Sequence, residues 1–108
     1  MLSWHLSADE APPEYAVELV RGVHRNRVQL DDLIAEHARG WKLERMPVVD
    51  RNLLRLGLFE ILHQPDVPVP VAINEAVELA KDLSTDDSPR FVNGLLARVA
   101  EEHPRLPA

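Results

Sequence analysis

The stretch DDSPRFVNGLLARV, residues 86–99, holds the most chemically suggestive spacing in the chain. Asp86 and Asp87 suit the positive end of a helix dipole, Ser88 suits an N-cap, and Pro89 suits the first helical position, where its missing N–H is harmless. At 100° per residue, Val92, Leu95, Leu96 and Val99 form one apolar stripe. Phe91 lies roughly 90° away from the centre of that stripe, beside Arg98 and the bare Gly94. A large ring off the core face and next to a cation either tucks against a neighbouring helix, with Asp87 only capping, or belongs to a recognition surface. The residues alone leave both readings open, and packing is the simpler one.

Other reactive groupings are weaker. The five histidines (His5, His24, His37, His63 and His103) never fall at metal-ligand spacing. No nucleophile elbow, phosphate-binding glycine loop or dinucleotide fingerprint is present. Asp31-Asp32 and Glu101-Glu102 read as solvated helix faces. No catalytic residue, metal or cofactor is expected, and the chain does not read as an enzyme. Arg51 and Arg55 stand one turn apart on an apolar helix, a mildly repulsive spacing that calls for acidic partners, with Glu75 or Glu78 as candidates. An anion site is the alternative for this pair. Asn74 likewise suits either a tie to the proline-rich connector before it or a polar recognition face.

The elements that must position these groups are all helical in pattern. PPEYAVELVRGVHRNRV reads as a first helix marked by Tyr15, Leu19, Val23 and Val28. QLDDLIAEHARG carries Leu30, Leu33, Ile34 and His37 on one face and stops at Gly40. After a short turn, WKLERM, Pro47 opens a helix that is apolar nearly all round and must be central. QPDVPVP reads as an extended connector. VAINEAVELAKDL packs through Ile73, Ala76, Val77, Ala80 and Leu83, and Leu53, Leu54, Leu58, Ile61, Ile73, Val77, Val92 and Leu95 are expected to form the core. No period-two run of β-branched residues appears. The fold class is therefore all-α, in one domain over residues 1–108.

Composition narrows the function classes. The net charge of −6 has the wrong sign for holding nucleic acid by bulk electrostatics, so such a role must rest on local basic clusters or a partner. The absence of cysteine excludes disulfides and thiolate chemistry and fits the cytoplasm. The start MLSWHLSADE has no basic n-region or cleavage site, and no apolar run is long enough to span a bilayer, so no membrane role is expected.

Three segments carry a resemblance: GVHRNRVQLDDLI, VVDRNLLRLGLFEIL and VPVPVAINEAVELAKDLSTDDSPRFVNGLLARV. Together they resemble the NusB family of transcription antitermination factors from Tyr15 to Val99, with VAINEAVELAK and DDSPRFVNGLL as the specific signatures. The resemblance implies a compact helical bundle of two small, perpendicular helical subdomains. It implies as partners the ribosomal protein NusE, boxA-type single-stranded RNA of ribosomal RNA transcripts and the transcription elongation complex, and as function support of RNA polymerase processivity.

The resemblance also places the aromatic of the FVNG motif and the acid before the serine on the RNA surface, here Phe91 and Asp87. Unpaired bases are read by stacking on aromatic faces and by hydrogen bonds to their edges. A carboxylate repels phosphate but accepts from an exocyclic amine. Arg90 and Arg98 are the lesser candidates, for phosphate.

LSWHLS resembles the end of the family's arginine-rich first helix. Residues 1–13 are thus expected to be a remnant of that helix with a shortened linker, 14–103 the helical core and 104–108 a frayed tail, in an N-terminally shortened member whose first subdomain is incomplete. An uncovered face of the first helix favours a homodimer or dependence on another chain. The alternative function is an RNA-targeting domain related to the NusB-like N-terminal part of ribosomal RNA cytosine-C5 methyltransferases.

Overall fold

The computed structural model describes residues 14–38 and 40–103, and among them the chain is helical with no strand. The elements are α1 (Glu14–Arg25), α2 (Arg27–His37), a 3₁₀ turn (Leu43–Arg45), α3 (Val48–His63), α4 (Val69–Leu83) and α5 (Ser88–Glu102). The expectations for residues 1–13 and 104–108 lie outside the described residues. No helix among the described residues is long and apolar enough to cross a membrane.

As its pattern requires, α3 is central and touches each of the other four helices. Leu53, Leu54, Leu58, Phe59 and Ile61 are buried along it. From α5, Val92, Leu95, Leu96 and Val99 are all fully buried against it, the stripe expected from the sequence. The face of α4 is shifted from expectation. Ala72, Ala76 and Ala80 occupy its buried centre, whereas Ile73 and Val77 flank it half-buried and Leu83 is exposed. Small residues at a four-residue spacing let two helix axes approach closely, and the larger ones then fall to the sides.

The first helical pattern is not continuous. It breaks at Asn26, whose side-chain Nδ2 donates to the Gly22 carbonyl over 2.7 Å. The Asn26 amide donates to the same carbonyl over 3.0 Å and the Leu30 amide donates to the Asn26 carbonyl over 2.9 Å, so the hydrogen-bond ladder runs on and the bend into α2 lies in Asn26's own φ of −105° and ψ of 16°. Val28 consequently leaves the stripe and stands 77% exposed. Gly22 itself is needed for packing, since a Cβ there would lie 2.1 Å from Phe59 Cζ. The Tyr15 hydroxyl donates to the buried Glu60 carboxylate over 2.7 Å and pins α1 to α3. Burial and that acidic neighbour push the Tyr15 phenol well above its ordinary range.

Of the arginine pair on α3, Arg55 finds a partner on α2 rather than on α4. Arg55 donates from Nε and Nη2 to Asp31 on α2, over 2.7 and 3.1 Å, and from Nη1 to Asn52 over 3.2 Å. Asp31 is therefore an interhelical partner rather than a solvated acid. Glu78 instead pairs with Lys81 on the surface. The Nε of Arg51 is buried and has no hydrogen-bond acceptor among the described residues.

The connector also differs from expectation. The α4 helix already begins at Val69, with Pro70 in its first turn, where a missing N–H is tolerated. The amides of Val71 and Ala72 donate to the Pro68 carbonyl, so the helix itself satisfies the connector. Asn74 is not a tie to the connector. It is exposed and, with Ile73, Val77 and Asn93, lines a shallow recess.

Candidate functional site

The start of α5 is built differently from a simple cap. By its backbone, Asp87 is the N-cap residue, and its side chain makes no capping hydrogen bond. Ser88, expected as the cap, is 2% exposed and turned inward. Its hydroxyl donates to Oδ2 of the buried Asp50 over 2.8 Å, and the Ser84 hydroxyl donates to Oδ1 of the same carboxylate over 2.6 Å. With the Ser88 proton committed to Asp50, the 2.8 Å contact to Thr85 is a donation from the threonine hydroxyl. This cluster joins the first turn of α3 to the approach to α5.

Beside it lies an open hollow of about 610 Å³. Trp41, Met46, Pro47 and Phe91 form its apolar walls, while Arg45, Arg90, Asp50 and Asp87 supply its charges. Phe91 is half-buried, on the flank of α5 rather than in its core stripe. Its ring centroid stands 6.2 Å from that of Trp41, with the planes tilted by 51°. Trp41 follows the end of α2, where Gly40 holds a φ of +88° that favours glycine. The Trp41 amide donates to the Ala38 carbonyl over 3.2 Å.

Three of the four site residues expected from the sequence, Asp87, Arg90 and Phe91, thus meet around one hollow. Arg98 does not join them. Its Nη2 donates to the His37 carbonyl over 2.8 Å and ties α5 to the end of α2. Trp41 and Arg45 are the members that sequence reasoning missed. The only signal for them was an aromatic and a cation in the short turn WKLERM.

The hollow is mixed in character. Apolar ring faces are paired with two guanidiniums, and the free Asp87 carboxylate stands at the rim. The second carboxylate, Asp50, is occupied by two hydroxyls. Among the described residues no three His, Asp or Glu side chains come together as a metal site.

Fold and hollow define a small all-α bundle with an aromatic-walled recess where α5 begins. The sequence profile of the NusB family matches residues 5–101, so the chain belongs to the NusB family. It is 58% identical to the transcription antitermination protein NusB of Saccharopolyspora erythraea, covering 98% of this chain and 74% of that protein. It is 62% identical to the protein of the same name from Frankia casuarinae, over 87% of this chain and 71% of that one.

A solved structure of T. maritima NusB superposes with a TM-score of 0.82 at 46% identity, covering 85% of this chain. The chain spans 65% of the length of that structure. These relatives favour the antitermination reading over the methyltransferase-related alternative.

Proposed function

We propose that this chain binds boxA-type single-stranded RNA of ribosomal RNA transcripts together with the ribosomal protein NusE. Acting with the elongation complex in the cytoplasm, the pair supports RNA polymerase processivity. The observation that carries the RNA reading is the meeting of Phe91, Asp87 and Arg90 at one open hollow, with Phe91 packed on the flank of the core rather than within the buried stripe of α5. Phe91 offers a face for an unpaired base, Asp87 accepts from an exocyclic amine, and Arg90 lies close enough to serve a flanking phosphate.

Charge supports the need for a partner. With a net charge of −6, the chain has few cations to neutralise phosphates, and a basic ribosomal protein would supply them beside Phe91. Val17, Val20 and Val28, exposed on α1 and α2, support homodimerisation of the free chain, which sedimentation reads directly.

The test is a titration of labelled boxA-type RNA with the chain alone and with the chain plus NusE, at about 50 and 200 mM salt. Weak, strongly salt-sensitive binding alone, tightened by NusE, is expected. Equal affinity with and without NusE contradicts the joint surface, and no binding in either case contradicts the RNA reading.

A further inference from the structure

We propose that Trp41 is a second stacking residue, closing with Phe91 on one unpaired base of the bound RNA; this rests on the RNA reading above. Trp41 is 56% exposed, although it is among the largest apolar side chains in the protein. It does not serve the core. Its only ring contact among the described residues is Phe91, at 6.2 Å and 51°, toward the far end of the range for a direct aromatic pair.

A base held between two rings needs their planes about 7 Å apart, twice the ~3.5 Å contact distance between carbon atoms. At 6.2 Å and 51° the two rings form a direct tilted pair, so one of them must both turn and move outward to admit a base. Trp41 can supply the change because it stands on the turn between α2 and the 3₁₀ segment rather than on a helix. Phe91 is fixed on α5 and provides the stationary wall.

The rest of the hollow fits the same occupant. Its volume of about 610 Å³ is ample for a nucleotide. Arg45 lies four residues after Trp41 and Arg90 immediately before Phe91, and both line the hollow, which puts two cations within it for the backbone phosphates of a bound strand. Asp87 remains at the rim for the base edge. Indole is the largest π face a protein can offer, and stacking on it tolerates any base.

The chain has two tryptophans, so Trp4→Phe leaves Trp41 as the sole indole. That chain is titrated at low salt with a labelled single-stranded boxA-type RNA, reading both anisotropy and indole fluorescence, and repeated with Trp41→Ala, Trp41→Phe and Phe91→Ala. The Trp41 emission is expected to be quenched as RNA binds. Trp41→Ala is expected to weaken binding by about 5- to 150-fold, the loss of one base–aromatic stack, and Trp41→Phe to restore most of it. Binding that falls with Phe91→Ala yet ignores Trp41→Ala, with unchanged emission, overturns the role of Trp41 while leaving the RNA reading intact. Failure of the parent chain to bind RNA even with NusE overturns both.

Discussion

The Ser88 hydroxyl donates to Asp50 over 2.8 Å across 38 positions of sequence, fastening the first turn of α5 to the first turn of α3. Ser84 completes the carboxylate from the other side, so Asp50 is buried at 3% exposure with both oxygens engaged. The bond sets where α5 begins and therefore where Phe91 faces the hollow.

Removing that fastening has a defined consequence. Ser88→Ala takes one donor from a buried carboxylate and is expected to cost about 1–3 kcal/mol of stability. Urea unfolding measures it, and an unchanged midpoint would mean that water replaces the serine without penalty. RNA affinity should fall as well, because Phe91 is held through the same turn.

A second fastening joins α2 to α3. Arg55 is 9% exposed and its guanidinium grips Asp31 through two hydrogen bonds. Asp31→Ala leaves that cation without its partner and is expected to destabilise the protein by about 2–3 kcal/mol, with little effect on RNA binding because the pair lies away from the hollow. Parallel unfolding and RNA titrations of the variant separate the two effects. Lost RNA affinity in a fully folded variant would contradict this assignment.

His37 makes stability depend on pH. Its Nδ1 lies 2.9 Å from the Leu33 carbonyl and its Nε2 faces the Glu102 carboxylate, so both nitrogens meet acceptors and the imidazolium satisfies both. Burial alone would lower its pKa, but the Leu33 carbonyl and Glu102 outweigh it, and the value rises above the ordinary 6.5. A raised folded pKa gives stability that is fully present below about pH 6.5 and lost as pH climbs through the raised value. Because Glu102 is largely exposed, the contribution should stay below about 1 kcal/mol. Thermal unfolding of wild type and His37→Gln should show their difference shrinking from pH 6 to pH 9. A difference that grows with pH would contradict the charged form.

How much of this was legible in the sequence varies by element. The α5 stripe and the odd placement of Phe91 could be read directly, because both follow from helical period within one segment. Asp87, Arg90 and Phe91 meet because one helix start carries all three. Trp41 was not legible as their companion, since a turn has no periodicity and only folding brings residue 41 beside residue 91. The Asp31–Arg55 and Ser88–Asp50 bonds were hidden for the same reason: each joins residues far apart in the chain. The break at Asn26 was masked by an apolar pattern that continues through it, because only the backbone angles of that one residue depart from the helix. The centre of α4 is hard to read from hydrophobicity because Ile73 and Val77 outrank the alanines Ala72, Ala76 and Ala80, whose small size is what permits close helix approach.

Phe91 is proposed to serve RNA from the flank of the core. The most direct measurement compares Phe91→Ala with wild type for boxA-type RNA affinity in the presence of NusE and for urea unfolding. Affinity is expected to drop by about 1–3 kcal/mol, the range for one base–aromatic stack, while stability falls by less than the ~3–5 kcal/mol of a truncated core phenylalanine. Unchanged RNA affinity, or a protein that no longer folds, would show instead that Phe91 is a packing residue.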